Sequence, residues 1–378
     1  DKSARAQDDL FLHVNGRWLQ RTEIPADKSN YGSFNKLIDE AQLNIRAIIE
    51  DAAKNPRDEN GHKVGNFFNS YMNEALVEQL GLKPLQAEIA KIEKLADKNE
   101  VVRHFGYCET IGVGGPIGFF VDQDDRASTQ HLAGVIQSGT TLPDRDYYLN
   151  DDPKYLKARE ALKAYIAKLF QLSGQSHGEQ AAIAVLELET KLAKVQWDRT
   201  KLRDAEKRYN KFQVAKLSEL TPKFPWPVFF SAAGAKGLTE LNVVTPSYFE
   251  GLEPILAETS LETWKQYLHF RLIDSNASAL PKAFAEAHFE LHGKELGGIP
   301  EQQPRWKRAV DTVAGGGSNR MGALGEAVGQ LYVQKHFKPQ ARERMNQLVG
   351  NLLKAFEQSI HDLAWMTDAT KKQALVKL

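Results

Sequence analysis

The histidine pair His288 and His292 is the arrangement in this sequence that most resembles a metal-binding motif. Two histidines four residues apart lie on one helix face and can both ligate zinc, as in the His-Glu-x-x-His motif of zinc peptidases. That motif places its glutamate directly after the first histidine. Glu290 instead comes two positions after His288, about 200° round a helix of 3.6 residues per turn, and so faces away. With no third ligand recognisable downstream, we interpret the pair as a surface or half-buried helix end closed by Gly293.

Two further groups of reactive side chains have structural interpretations. Cys108 is the sole cysteine, which excludes an intrachain disulfide and a cysteine-rich zinc site. It follows Tyr107 in an apolar stretch, so we expect a small buried residue rather than a nucleophile. Glu187 and Glu189 lie among lysines and arginines in a predicted helix, and we interpret this helix surface as charged and solvent-facing. From residue chemistry alone, no catalytic set is complete.

The composition is that of a soluble globular protein, with 42% apolar and 26% charged residues. Forty-nine basic residues balance forty-nine acidic ones, so no overall field favours nucleic acid. No unbroken apolar run approaches the length of a membrane-spanning helix. At 378 residues, the chain is long enough for two domains or for one large one.

The apolar spacing predicts a mostly helical protein with one small β element. Helices are expected at 35–50, 64–76, 85–95, 155–172, 178–208, 210–218, 261–292 and 338–363. The runs 117–121 and 131–136 flank a polar turn and predict a β-hairpin. The stretch 315–319 is predicted to be an exposed flexible loop, because three consecutive glycines precede Ser318 and Asn319.

Four stretches, in order along the chain, resemble the neprilysin family of zinc metallopeptidases, which includes endothelin-converting enzymes and bacterial oligopeptidases. They are 9–19 with 24–25 and 31–34; 142–149; 304–308 with 327–333; and 363–367 with 370–374. Each stretch alone is modest support, but their shared order spans nearly the whole chain.

The resemblance implies a mainly α fold: a large helical domain with a small β-hairpin, forming the capping part of a two-lobed gluzincin-type metallopeptidase. Residues 1–30 would be an N-terminal arm associating with the catalytic lobe. Residues 31–363 would be the capping domain, and 364–378 the start of the connection to a catalytic domain absent from this chain. Because the sequence ends within a helical pattern, we expect the polypeptide to continue.

The activity implied by the resemblance is that of a zinc-dependent endopeptidase or oligopeptidase, which cleaves small peptides on the amino side of hydrophobic residues. The zinc ligands are expected in the C-terminal part, so no catalytic or metal-binding residue is assigned here and this fragment alone is expected to be inactive. The expected partners are peptide substrates and the C-terminal catalytic polypeptide, not nucleic acid. The alternative is a stand-alone helical module that binds peptides or other partners without catalysis.

By position in the motif, Phe34 resembles the family's aromatic wall of the pocket for the residue just after the cleaved bond. The alternative is that Phe34 only seals the turn before the next helix. Asn30, Asn35 and Ile38 stand where neprilysin has Arg, Asp and Arg beside the next subsite. The positive charges that grip a substrate's terminal carboxylate are therefore missing, which predicts a more endopeptidase-like preference.

Cysteines of the animal members are replaced here by Asn15 and Ala309. The resemblance therefore implies a disulfide-free, bacterial-type member. We expect a periplasmic or secreted protein whose signal peptide is not part of this chain.

Overall fold

The computed structural model describes residues 1–316 and 320–378, so the predicted loop at 315–319 lies partly outside the described residues. The chain forms two compact units. The discontinuous unit comprises Asp1–Pro25, Asn30–Asn73 and Gln303–Leu378. The central unit comprises Ala26–Ser29 and Glu74–Gln302. These two units are defined by compactness. They do not test the functional boundaries at 30/31 and 363/364, which stay predictions.

The structure is mainly helical with a small mixed sheet, which confirms the predicted fold class. The helices are α1 (Leu10–Arg21), α2 (Ser33–Lys54), α3 (Glu59–Met72), α4 (Glu74–Leu80), α5 (Gln86–Glu93), α6 (Lys98–Ile111), α7 (Asp146–Leu149), α8 (Pro153–Leu172), α9 (Gly178–Val195), α10 (Leu217–Leu220), α11 (Trp226–Ala232), α12 (Pro246–Glu258), α13 (Leu261–Asn276), α14 (Lys282–His288), α15 (Arg305–Ala314), α16 (Gly325–His336), α17 (Pro339–Asp362) and α18 (Asp368–Lys377). The strands are β1 (Ile117–Asp124), β2 (Ala127–Gln137), β3 (Lys211–Gln213), β4 (Glu240–Val243), β5 (Gly315–Gly316) and β6 (Arg320–Met321). None of the helices in the described ranges is long and apolar enough to cross a bilayer.

The predicted hairpin is confirmed as β1 and β2, which pair antiparallel from Ile117 opposite Gln137. It is one side of a four-stranded sheet in the order β1-β2-β4-β3. Strand β4 runs parallel to β2 and antiparallel to β3. The helix predicted at 210–218 is therefore wrong, because its first residues form β3. Three residues are too few for a pattern to distinguish strand from helix.

Two long predicted helices end earlier than expected. Helix α9 stops at Val195, after which Gln196 is extended. The segment 261–292 is broken between α13 and α14 at Pro281. Proline has no N–H for a helix interior and favours an extended residue before it, as found at Leu280 with ψ 177°. After α14 the helix continues as a π-helical segment, Phe289–Glu295.

The central unit has a large aromatic core. Its largest fully buried side chains include Trp264, Tyr248 and Tyr267. Trp264 packs edge-on against Phe105, with ring centroids 5.1 Å apart. Burying a large apolar side chain is worth about 1.5–3 kcal/mol, so this core can hold the short sheet and its surrounding helices together.

The discontinuous unit has a smaller core. Its buried members are Ile49, Ala52, Val64, Phe68, Tyr71, Ala309, Val310, Val313 and Val328. The family-like stretch 304–308 is part of this packing: Arg305 Nε donates to the Tyr71 carbonyl at 2.9 Å, and the Arg46 guanidinium lies 4.5 Å from the Trp306 ring. These contacts give that stretch a structural role.

Helix α17 of the discontinuous unit buries none of its own residues. Its apolar side chains, each about half exposed, are Met345, Leu348, Val349, Leu352, Leu353 and Phe356. Together they form an apolar surface that the described part of the chain leaves uncovered. We call these six residues the α17 surface.

Candidate functional site

The residues predicted to contact substrate lie in the first turn of α2, Phe34 and Asn35, and just before that helix, Asn30. The helix follows Gly32, whose backbone is extended, and begins without a side-chain cap. Its first helical bond runs from the Lys36 N–H to the Gly32 carbonyl at 3.1 Å. The buried residues of α2 begin at Gln42, so the first turn extends beyond the unit's core.

Phe34 lies in this first turn with its side chain 80% exposed. Leu37 and Ile38, within one turn of it, are 60% and 39% exposed. An aromatic ring left in water forgoes the stabilisation of burial, and contiguous exposed apolar residues are typical of binding surfaces. This exposure argues against the alternative that Phe34 only seals the turn before α2.

Asn30 and Asn35 are brought together beside Phe34. The Asn35 Nδ2 donates to the Asn30 Oδ1 at 3.4 Å, which is a long hydrogen bond. Neither amide carries charge, so the pair offers hydrogen bonds but no ionic attraction for a carboxylate. Their role as substrate-binding residues, with Phe34, stays a prediction.

The histidine pair has a neighbour that the sequence did not reveal. His288 closes α14 and His292 lies in the π-helical segment, with ring centroids 4.3 Å apart. Asp274, near the end of α13, lies 3.1 Å from His292 Nε2. The expectation of no third ligand considered only residues downstream, whereas Asp274 lies upstream. Glu290 is exposed and pairs with Lys294 at 3.1 Å.

A buried polar network was missed by sequence reasoning. Glu189 is fully buried, so its interpretation as a solvent-facing charge is wrong. It accepts hydrogen bonds from Tyr148 Oη at 2.5 Å, Thr141 Oγ1 at 2.7 Å and Thr141 N–H at 3.0 Å. Burial raises the pKa of the Glu189 carboxyl, while these three donors and the nearby Arg271 favour its ionised form.

The same network explains the family-like stretch 142–149. Tyr148 Oη also accepts the N–H groups of Thr141 and Leu142, at 3.0 and 2.8 Å. A signal for the network was present, since this stretch had been recognised as a family motif. Nothing in the sequence pointed from it to Glu189, because the partners lie 41 residues or more apart.

Cys108 is 1% exposed, which confirms its interpretation as a small buried residue. Burial raises the pKa of its thiol to about 12, so the thiolate needed for nucleophilic attack is scarce at neutral pH.

Comparison with solved structures gives the class of protein to which this fold belongs. The zinc metalloprotease Zmp1 of Mycobacterium tuberculosis, in complex with an inhibitor, matches 99% of this chain with a TM-score of 0.89 and 37% identity. The match covers 56% of the Zmp1 chain. PepO from Lactobacillus rhamnosis shares the fold at 19% identity, with a TM-score of 0.79 over 98% of this chain and 58% of PepO. The fold is therefore that of the mainly helical N-terminal part of such metallopeptidases.

The sequence profile of peptidase family M13, N-terminal part, matches residues 6–378, and the chain belongs to this family. An endothelin-converting enzyme homolog of Locusta migratoria is 27% identical over 99% of this chain and 53% of its own length. Neprilysin-3 of Drosophila melanogaster is 25% identical over 98% of the chain and 49% of its own length. The chain thus spans about half the length of the curated relatives that it matches, and the resemblance to the neprilysin family is confirmed.

The residues present do not fit a catalytic zinc site of the His-Glu-x-x-His type. No histidine in residues 1–378 is directly followed by glutamate, and the only histidine pair spaced four apart is His288 and His292.

Proposed function

We propose that this chain is the substrate-enclosing, mainly helical part of a zinc-dependent peptidase that hydrolyses small peptides. The family membership and the likeness to Zmp1 support a peptidase. The observation that carries the role of this chain is the 80% exposure of Phe34 on the first turn of α2. The catalytic zinc would be held by residues outside 1–378, and the fragment alone would be inactive.

Phe34 would form an apolar wall for the side chain that follows the cleaved bond. Leu37 and Ile38, three and four residues further along α2, share its helix face and are also exposed. Such a wall favours hydrophobic side chains because their burial releases water from both surfaces. Cleavage on the amino side of hydrophobic residues follows from this arrangement.

The first experiment compares Phe34→Ala with wild type in the complete natural polypeptide. Peptides would be matched except for Phe, Leu or Ala after the cleaved bond. We expect kcat/KM to fall about 10- to 100-fold for Phe and Leu, and much less for Ala, since removing the wall removes apolar burial. Ile183→Ala, which truncates a half-exposed apolar side chain on α9, is the matched control. Equal losses for all three peptides would contradict the assignment of Phe34.

A second experiment tests the neutral pair Asn30 and Asn35 together with Ile38. We expect wild type to cleave matched peptides with free and amidated C-termini at similar rates, because no positive charge is present at these positions. The triple variant Asn30→Arg, Asn35→Asp and Ile38→Arg should favour the free carboxylate by about 10-fold, through charge-assisted hydrogen bonds. A large loss on amidation in wild type would overturn this proposal.

The second candidate function is a helical peptide-binding module without catalysis. The exposed α17 surface fits this candidate as well as it fits a catalytic partner, because a bound peptide or a catalytic polypeptide could cover these apolar residues. Peptide binding without turnover by the complete natural polypeptide would decide for this candidate. Bacterial origin stays a prediction, supported by Asn15 and Ala309 at the family's cysteine positions. A periplasmic or secreted location also stays a prediction.

A further inference from the structure

Two helices of the central unit bring three metal-ligating side chains to one place. His288 and His292 present their rings side by side, with centroids 4.3 Å apart and planes inclined by 34°. They lie across the junction where α14 becomes π-helical at Phe289. Local π-helical turns are rare and are frequent at functional sites. The pair has the i, i+4 spacing that lets two imidazoles ligate one ion.

Asp274 of α13 supplies a carboxylate to this pair. One ligand atom each from Asp274, His288 and His292 lie within 4.8 Å of one another. The shortest separation, 3.1 Å between His292 Nε2 and Asp274 Oδ1, is near the spacing of about 3.3 Å that two ligand atoms of a tetrahedral zinc require, given bonds of about 2.0 Å. Small side-chain rotations would bring the remaining ligand atom to the same distance.

The surroundings orient the carboxylate as they do around known metal ligands. Tyr165 Oη donates to Asp274 Oδ1 at 2.7 Å, while Arg271 Nη1 lies 3.8 Å from Oδ2. Hydrogen bonds of this kind fix ligand orientation in metal sites.

The cluster is also accessible from solvent. The Asp274 side chain is 11% exposed and that of His292 28%, so the cluster is half-buried with a route from solvent. A half-buried set of two imidazoles and one carboxylate leaves room for water as a fourth ligand.

We propose that Asp274, His288 and His292 form a binding site for a divalent transition metal, of which zinc is the best match. The ligand set is two neutral imidazole nitrogens and one carboxylate oxygen, a combination that suits zinc better than calcium or magnesium. The bound ion would join α13 to the α14 segment across the break at Pro281. The site lacks a glutamate directly after its first histidine. Its role would therefore be to link and stabilise these helices rather than to cleave peptides.

The test measures zinc per chain in the complete natural polypeptide, after equilibration with zinc chloride and removal of loosely bound metal. We expect the His288→Gln/His292→Gln variant to carry one zinc fewer than wild type. The matched control, His336→Gln/His361→Gln, removes two exposed histidines of the discontinuous unit and should lose none. Equal zinc in wild type and the His288/His292 variant would overturn the site and leave only a hydrogen-bonded histidine–aspartate pair.

Two graded variants test the geometry. Asp274→Asn should weaken zinc binding, and Tyr165→Phe should weaken it by about 10-fold, because it removes only the orienting hydrogen bond. Zinc should raise the melting temperature of wild type and of the exposed-histidine control, since a ligand that binds only the native state stabilises it.

If the His288/His292 variant fails to fold, a measurement on wild type decides. Metal-depleted wild type titrated with cobalt chloride should bind two cobalt ions per chain, one at the catalytic site proposed outside residues 1–378 and one at Asp274, His288 and His292, whereas zinc-equilibrated wild type should bind none. Zinc should then displace both cobalt ions. Binding of a single cobalt ion by metal-depleted wild type would overturn the proposal.

Discussion

The two compact units differ in which apolar and charged side chains they bury. The central unit buries a large aromatic core and even buries a carboxylate, Glu189, within a full set of hydrogen bonds. The discontinuous unit has a small core and leaves Phe34 and the α17 surface exposed. The central unit is thus built mainly for stability, whereas the discontinuous unit presents apolar surface for something else to cover.

The family-like stretches show the same difference in burial. The stretch 142–149 encloses Tyr148, which is buried and bonded to Glu189. The stretch 31–34 ends at Phe34, which is almost fully exposed. A family motif is thus evidence of membership, but burial decides whether its residues act in folding or are available to a ligand.

The largest expected effect is on the buried network of the central unit. Glu189→Ala should lower the free energy of unfolding by about 3–5 kcal/mol, because it leaves the buried hydroxyl groups of Tyr148 and Thr141 without their acceptor and removes a carboxylate near the buried Arg271. Glu187→Ala, two residues away and exposed, should change it by about 0.5 kcal/mol or less. Denaturant unfolding of both variants measures the difference. Equal effects would remove the contrast between a buried and a solvent-facing carboxylate on α9.

The next effect is a pH dependence of the central unit. His269 is 7% exposed, and its Nε2 has no hydrogen-bond partner among the described residues. Burial lowers its pKa to about 4, so the folded state holds it neutral while the unfolded state takes up a proton near pH 6.5. Stability is therefore complete above pH 6.5 and falls between pH 6.5 and 4, by up to about 3 kcal/mol.

Urea unfolding between pH 7.5 and 4 measures how the free energy of unfolding depends on pH. His269→Leu should reduce the pH dependence by about half, because burial also lowers the pKa of His104 to about 4 and that residue titrates over the same range. His336→Leu, which removes an exposed histidine, should leave the pH dependence unchanged. An unchanged slope in His269→Leu would show that His269 titrates alike in the folded and unfolded states.

The smallest effect on stability is expected on the α17 surface. Leu348→Lys with Leu352→Lys should change the stability of the isolated 378-residue chain by about 1 kcal/mol or less, since both side chains are half exposed. The same variant should raise the monomer fraction in sedimentation, by breaking the apolar patch. Gln347→Lys with Gln358→Lys adds the same charge outside the patch and is the control. In the complete polypeptide the leucine variant should be the more destabilising of the two, and no difference would argue against a covering partner.

The sequence predicted the mainly helical class and the hairpin, because these depend on local pattern. It did not predict the buried Glu189, because a helix face with alternating charges looks the same whether water or Tyr148 meets it. It also missed the third member of the histidine cluster. In the continuous helix predicted at 261–292, Asp274 and His288 would be about 21 Å apart, and only the break at Pro281 brings them together.

The central claim, that this chain encloses substrate for a zinc-dependent peptidase, is tested most directly on the natural protein. Its polypeptide mass and its cleavage of small peptides would be measured with and without a chelator. We expect a polypeptide longer than these 378 residues. We also expect a peptidase activity that the chelator abolishes and added zinc restores. A natural protein of this length alone, binding peptides without cleaving them, would contradict it.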